Sequence, residues 1–189
     1  MTKRSTITKP RVNTVLLLIA IAAVMASFRP TPANVASSLR PGSWEVYFSP
    51  PGGCTAAVVD VIGHAKKTVF VQAYSFTSEP IAKALIGAHK RKVRVEVMLD
   101  SSQVSTKYSP ADLFSHSGII TRIDAAHAIA HNKVMIIDGE TVITGSFNFT
   151  RAAETKNAEN LLVIRDKTLA AKYTKNWKAH QGHSDLHGG

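Results

Sequence analysis

Cysteine is almost absent from this chain, acidic residues are few, and no apolar run is long enough to cross a membrane. The single cysteine, Cys54, excludes an intrachain disulfide framework and a zinc site built from several cysteines. We expect it to be an inert small residue, with a reactive thiol as the alternative. The 189 residues are 44% hydrophobic and 19% charged, which is typical of a packed domain and excludes disorder as a class.

The first 36 residues have the pattern of an export signal. A basic start, residues 3–11, precedes an apolar run at residues 15–26, and a proline-containing linker follows. The run is shorter than the ~20 residues that a transmembrane helix needs. The pattern predicts a signal peptide cleaved between residues 26 and 36 and a periplasmic or secreted protein. An uncleaved segment that keeps the domain at a membrane is the alternative.

The scarcity of acidic residues gives the chain a basic surface. There are 23 Lys and Arg against 13 Asp and Glu, so the formal net charge is +10. Residues 1–36 contain five cations and no acidic residue, which leaves +5 on residues 37–189. This charge suits a polyanion such as nucleic acid, because Lys and Arg contacts to phosphates release counterions. A surface adapted for solubility explains the same charge.

Strand-like and helix-like segments alternate through residues 37–189, which we interpret as one domain. The β-branched runs at residues 68–74 and 93–99 are typical of buried strands, and helical spacing appears between them. Asp138 and Gly139 between two apolar runs are a hairpin signal, so some neighbouring strands must be antiparallel. The pattern predicts an α/β sandwich with a mixed β-sheet. The sequence has no internal repeat.

One segment, residues 131–148, concentrates the candidate chemistry. On an extended strand, side chains two residues apart share a face, so His131 and Lys133 can reach the same phosphate. His64 and Lys66 have the same spacing, but they fall in a predicted helix, where that geometry is lost. The segment matches H-x-K-(x)4-D-(x)6-G-S-x-N at all of its fixed positions, which are His131, Lys133, Asp138, Gly145, Ser146 and Asn148.

This motif resembles that of the phospholipase D superfamily, and the chain is most similar to its small, secreted, single-motif bacterial endonucleases. The resemblance extends from about Trp44 to the C-terminal helix and includes the sequence Asn157-Ala158-Glu159-Asn160. It implies a three-layer α/β/α sandwich and phosphodiester hydrolysis through a covalent phosphohistidine. It also implies that no metal or other cofactor is needed and that two motifs share one active site.

The chemistry of the motif residues gives each a candidate role. An imidazole near neutrality can attack phosphorus, which makes His131 the candidate nucleophile. Lys133 would hold the charge of the phosphate oxygens, with Asn148 as a hydrogen-bond donor. Ser146 would donate in the same way or hold the loop. By resemblance, Glu159 is the catalytic carboxylate that accepts a hydrogen bond from the other ring nitrogen of His131.

Backbone geometry bears on the roles expected for two further motif residues, Asp138 and Gly145. Asp138 is a candidate catalytic residue as part of the motif, yet it lies an odd number of residues from His131. Strand alternation therefore points it away from the His131 face, and Asp-Gly favours a turn, so a structural role is the favoured interpretation. Gly145 is expected to let the backbone approach the phosphate closely.

A single motif per chain has a consequence for assembly. In-line displacement places the nucleophile and the leaving group on opposite sides of phosphorus, so two histidines are needed. One chain supplies one such histidine. The sequence therefore predicts a two-fold homodimer that brings two copies of His131 to one phosphate.

The remaining histidines give weaker signals. His127 lies four residues before His131, a spacing that binds metals on helices, but the residues between them are typical of a strand. No metal site is therefore predicted there. The C-terminal end is rich in glycine and is expected to be disordered. The histidines of that end, His180, His183 and His187, form only a weak metal-like cluster.

Three functions remain open on these grounds. The leading hypothesis is a metal-independent endonuclease that cleaves DNA, with RNA as a further substrate. The second keeps the chemistry but hydrolyses a phospholipid headgroup ester, with membrane contact if the N-terminal segment is retained. The third is a catalytically silent nucleic-acid-binding protein, which would account for the basic residues 90–92 but not for the intact motif.

Overall fold

The structure, a computed structural model, describes residues 40–50, 52–104 and 109–188. The predicted export signal in residues 1–36 lies outside these ranges. Among the described residues, no helix combines the length and apolar character needed to span a bilayer.

In the described ranges, eight strands form one mixed sheet, as the alternating pattern predicted. The spatial order of the strands is β1-β7-β6-β5-β2-β3-β4-β8. β2, β3 and β4 are parallel to one another, and the other neighbouring pairs are antiparallel. The strands are β1 (Ser43–Ser49), β2 (Thr68–Ala73), β3 (Arg94–Asp100), β4 (Ile120–Asp124), β5 (Lys133–Ile137), β6 (Thr141–Gly145), β7 (Glu159–Arg165) and β8 (Asp185–Leu186).

Helices cover both faces of this sheet and produce the predicted three layers. The larger core joins one face to the first two helices and to Phe114 of the third, and the smaller core joins the other face to Ala170 and Trp177 of the last helix. The helices are α1 (Cys54–His64), α2 (Glu79–Lys90), α3 (Pro110–His116), α4 (Arg151–Thr155) and α5 (Lys167–Gln181), and a short 3₁₀ helix spans Ser101–Val104.

Strand β2 shows why its sequence is apolar almost throughout. Val69 and Val71 are fully buried in the larger core, while Phe70 points to the opposite face. Phe70 stacks on Trp177 with ring centroids 4.6 Å apart. The indole N–H of Trp177 donates to the carbonyl oxygen of Val71 at 3.2 Å. A central strand covered on both faces needs apolar residues on both, which removes the simple alternation of a half-exposed strand.

The C-terminal end is ordered through residue 188, which corrects the expectation that its histidines are disordered. Helix α5 continues to Gln181, and β8 then pairs with β4, where Leu186 lies opposite Arg122. His187 Nε2 lies 2.8 Å from Asp112 Oδ1. These contacts join the tail to β4 and to helix α3, so glycine content alone was a poor guide to its order.

The register of the strands gathers polar residues at one end of the sheet. β2, β3 and β4 finish at this end, whereas the antiparallel strands β5 and β7 begin there. The strand residues brought to this end are Ser49, Ala73, Asp100, Asp124, Lys133, Gly145 and Glu159.

Candidate active site

His131 and Lys133 lie together at the polar end of the sheet. Lys133 is the first residue of β5, and His131 lies two residues before it, so the strand predicted to hold both begins later than expected. The backbone N–H of Tyr74 still donates to the carbonyl oxygen of Asn132 at 2.9 Å, which continues the contact with β2. His131 is exposed, whereas Lys133 is only 8% exposed.

Tyr74 contacts both motif residues and was missed by the sequence analysis. Its ring centroid lies 4.5 Å from that of His131, and the Lys133 ammonium lies 5.1 Å from the centre of the tyrosine ring. That second distance is in the range of a cation–π interaction. Lys133 Nζ also donates to the carbonyl oxygen of His131 at 2.8 Å. Only the pairing of β2 with β5 could have revealed Tyr74, because its position in the sequence carries no motif.

Burial prepares Lys133 to interact strongly with an anion. Partial desolvation lowers the pKa of Lys133 from its ordinary value, and the nearby negative charge of Glu159 opposes that shift. A positive charge held where water is partly excluded attracts phosphate oxygens more strongly than a fully hydrated one. The role predicted for Lys133 is consistent with this environment.

Ser146 and Glu159 form a second part of the site. Ser146 Oγ donates to Glu159 Oε2 at 2.6 Å, and Asn157 Nδ2 donates to Glu159 Oε1 at 3.1 Å. The backbone N–H of Asn160 donates to Ser146 Oγ at 3.1 Å, which fixes the hydroxyl. Among the described residues, the partners of Glu159 are therefore Ser146 and Asn157 rather than the ring of His131. The expected bond between Glu159 and His131 is not made within one chain.

Gly145 and Asn148 complete the motif in different ways. Gly145 has φ +142°, and a Cβ there would lie 2.3 Å from the carbonyl oxygen of Asn160. The close approach that requires glycine is thus to strand β7, whereas the expected approach was to the phosphate. Asn148 Oδ1 is buried and has no hydrogen-bond partner among the described residues. Because an amide oxygen only accepts hydrogen bonds, this atom does not bear on the donor role predicted for the amide nitrogen of Asn148.

Asp138 lies at the opposite end of β5 from His131. Its Oδ1 accepts hydrogen bonds from the backbone N–H groups of Lys67 and Thr68 at 2.7 and 2.9 Å. Its Oδ2 accepts from the N–H of Lys66 at 2.9 Å. The residue occupies a left-handed conformation with φ 55° in the turn between β5 and β6. The carboxylate therefore holds the loop between α1 and β2, in agreement with the structural interpretation.

Replacing Asp138 with Ala should destabilise the fold by about 2 to 4 kcal/mol, because three hydrogen bonds to a carboxylate are lost. Cleavage per folded molecule should change little. Urea unfolding compared with activity on the same preparations measures both effects. Asp138→Asn keeps an acceptor and tolerates the left-handed conformation, so it should lose less stability. Full stability combined with lost cleavage would make Asp138 catalytic instead.

His64 and Cys54 have structural surroundings. His64 is the last residue of α1, as predicted, whereas Lys66 lies beyond the end of this helix and was wrongly placed in it. The Nδ1 atom of His64 lies 2.8 Å from the carbonyl oxygen of Asp60. Cys54 is fully buried, and desolvation raises the pKa of its thiol to about 11. The thiol is therefore neutral at physiological pH, which favours the inert interpretation over the reactive one.

Comparison with known proteins finds relatives for most of the chain. Residues 58–180 match the family described as cardiolipin synthase, PLD-like domain. Phospholipase D of Rickettsia typhi is 42% identical over 140 residues, which cover 74% of this chain and 69% of that protein. The mitochondrial cardiolipin hydrolase of Chlamydomonas reinhardtii is 33% identical over 140 residues, covering 67% of this chain and 63% of that protein.

Solved structures resemble the fold described above. The crystal structure of Nuc from Salmonella typhimurium, a phospholipase D family member, superposes with a TM-score of 0.72 and 38% identity. The match covers 78% of this chain and 99% of that chain. NucT from Helicobacter pylori superposes with a TM-score of 0.68 at 21% identity, and this match bears on the fold alone.

Proposed function

Because the chain belongs to the phospholipase D superfamily and is a phosphodiester hydrolase of that superfamily, we propose that it is an endonuclease acting on DNA, and also on RNA, without reading bases. The observation that carries this proposal is the open position of the site. His131 and Ser146 are exposed at the end of the sheet, so a polymer backbone can reach them without entering a cavity.

The charge around the site favours a polyanionic substrate. Helix α4 lies in the segment that joins Asn148 to Glu159, and this segment exposes Arg151 and Lys156. Contacts of such side chains with phosphates release counterions and need no base recognition. The net charge of +5 on residues 37–189 adds to this attraction.

The proposed reaction uses two copies of His131. The imidazole of one copy attacks phosphorus and forms a phosphohistidine, while the second copy protonates the departing alkoxide. Water then attacks the phosphohistidine, with the second imidazole accepting its proton. Lys133 stabilises the negative charge on the phosphate oxygens, and Ser146 and Asn148 supply hydrogen bonds to them.

A second copy of the chain is proposed to supply the second histidine across strand β1. This strand forms an edge of the sheet, and its side chains on one face are exposed: Trp44 by 65%, Val46 by 39% and Phe48 by 64%. Phe48 lies opposite Asn160 in the strand register, and Asn160 contacts Ser146 of the site. An apolar stripe that reaches an incomplete site is suited to pairing with its symmetry-related copy. We refer to Trp44, Val46 and Phe48 as the β1 stripe.

Export is part of the proposal. An exported enzyme that cuts DNA without sequence preference is kept apart from the chromosome of its own cell. The basic start and the apolar run at residues 15–26 provide the matching signal.

Hydrolysis of phospholipid headgroups is the second candidate function. The names of the Rickettsia phospholipase D and the cardiolipin hydrolase relatives favour it, at 42% and 33% identity. The β1 stripe would then be able to contact lipid, since exposed Trp and Phe side chains favour membrane interfaces.

A parallel assay separates the two substrates. Purified protein is incubated with supercoiled plasmid, with RNA, and with vesicles containing cardiolipin or phosphatidylcholine, and His131→Asn serves as the control. We expect plasmid nicking that persists in EDTA. Binding through about four phosphates should weaken by about 100-fold when salt rises fourfold. Headgroup release without nicking would overturn the nuclease assignment and support the lipid one.

A further inference from the structure

A cluster of three histidines and one aspartate lies at the same end of the sheet as the active site, across strands β2 and β3. Asp124 is the last residue of β4, and His127 follows it in the loop that leads to β5. His180 lies in the last turn of α5, and His183 lies just after that helix. The candidate ligand atoms of these four side chains all lie within 4.8 Å of one another. We propose that Asp124, His127, His180 and His183 bind a divalent transition metal ion, with zinc preferred.

The distances suit an ion better than a set of hydrogen bonds. His127 Nδ1 lies 3.3 Å and His183 Nε2 lies 3.5 Å from Asp124 Oδ1. Both distances are long for hydrogen bonds to a carboxylate. In a tetrahedral zinc site, ligand atoms about 2.1 Å from the ion lie about 3.4 Å from one another. His180 Nδ1 is closer, at 2.6 Å from Asp124 Oδ2, and would exchange this contact for the ion.

The chemistry of the donor set and its accessibility agree with this geometry. The three imidazole rings form a triangle with centroid separations of 4.9, 5.2 and 5.1 Å. Imidazole and carboxylate together are typical ligands of zinc, and imidazole also binds nickel and copper. The side chain of Asp124 is 1% exposed, whereas those of His127 and His183 are 46% and 38% exposed. An ion can therefore enter from solvent and reach a preformed buried carboxylate.

The ion would act through structure rather than through the reaction. Residues 125–132 join β4 to β5 and lead directly to His131. The N–H of Ala126 donates to Asp124 Oδ1 at 3.2 Å, and the N–H of Ala130 donates to Asp100 Oδ2 at 2.7 Å. A metal bound by His127 would fasten this loop to the end of α5 and so stabilise the folded chain. Neither His131 nor Lys133 belongs to the ligand set, so the proposed phosphohistidine chemistry does not use the ion.

The test measures metal binding on the full chain prepared without a polyhistidine tag. The protein is stripped with EDTA, dialysed and titrated with zinc chloride against a chromogenic chelator, and its metal content is measured by mass spectrometry. We expect one zinc per chain. When the free zinc concentration is 100 times the dissociation constant, the melting temperature of the protein should rise by about 5 to 10 °C.

Single-histidine variants identify the ligands. His183→Ala and His127→Ala should each weaken zinc binding by at least about 100-fold, because even the loss of an outer hydrogen-bond partner of a metal ligand costs 10- to 100-fold. Both side chains are partly exposed, so the apo variants should remain folded by circular dichroism. His64→Ala is the matched control, since His64 also contacts an aspartate but lies at the opposite end of the sheet.

The outcomes separate clearly. Absence of stoichiometric zinc in the wild-type chain would overturn the proposal. Unchanged zinc affinity in His127→Ala and His183→Ala would also overturn it, as would an equal loss of zinc affinity in His64→Ala. Abolished activity after zinc removal, in protein that remains folded, would overturn the structural role of the ion. Metal binding is measured without substrate, so the result does not depend on the proposed nuclease activity.

Discussion

Replacing His131 with Asn should abolish phosphodiester cleavage, with a loss of kcat of at least about four orders of magnitude. Removing the nucleophile leaves no group that can form the covalent intermediate, and losses of this size are usual for such residues. His131 is exposed and its ring contacts only Tyr74 among the described aromatic side chains, so the fold should persist. Plasmid nicking measures the activity, and thermal melting with fluorescence anisotropy on labelled DNA measures folding and binding.

His64→Asn is the matched control for this variant because His64 shares the H-x-K spacing but ends helix α1. It should retain full activity. Retained DNA binding by His131→Asn without cleavage would exclude the silent binding protein as a function of the wild type. Cleavage at an undiminished rate by His131→Asn would disprove the catalytic assignment.

Replacing Phe48 with Glu should convert the proposed dimer into monomers and lower cleavage by at least about 100-fold. In the single chain Phe48 is 64% exposed, so the substitution has little cost for the fold. In the dimer it would bury a carboxylate in an apolar contact, which costs several kcal/mol per ion. The monomer would then lack the second histidine. Light scattering and nicking assays on the same samples test the two effects together.

Ile120→Glu is the matched control, since Ile120 is an exposed apolar strand residue on β4, away from the β1 stripe. It should remain dimeric and active. A Phe48→Glu monomer with full activity would disprove the shared site. If the wild type is dimeric and Phe48→Glu loses only headgroup hydrolysis, the β1 stripe would instead be assigned to lipid contact.

Subunit mixing examines the shared site independently. Wild-type chains are exchanged with an equal amount of His131→Asn chains. When each site needs two intact histidines, only one quarter of randomly formed dimers are fully active. Independent sites would retain one half of the activity. The measured fraction therefore distinguishes the two arrangements without disturbing the interface.

Several features of the fold and the site were predictable because their causes are local. The apolar runs of β2 and β3, the hairpin around Asp138 and the helix that ends at His64 follow from periodicity and turn chemistry. The turn role favoured for Asp138 came from counting its position along an alternating strand. These inferences needed no knowledge of distant neighbours.

Other features were missed or misjudged because their causes are distant in the sequence. Tyr74 joins the site through the pairing of β2 with β5, and Gly145 is required by the approach of Asn160 on β7. Glu159 accepts a hydrogen bond from Ser146, whereas the family resemblance implied the ring of His131 as its partner. The spacing of residues along the sequence does not predict such contacts, because the order of the strands in the sheet determines them.

The sequence by itself determined which residues form the motif, the alternation of strands and helices, and hence the superfamily. Only the tertiary structure decided which side chains meet. Asp124 and His180 are 56 residues apart along the chain, yet their polar atoms lie 2.6 Å from each other. The physical reason is that periodicity records which face of an element is buried, whereas the order and register of the strands arise from packing among elements distant in sequence.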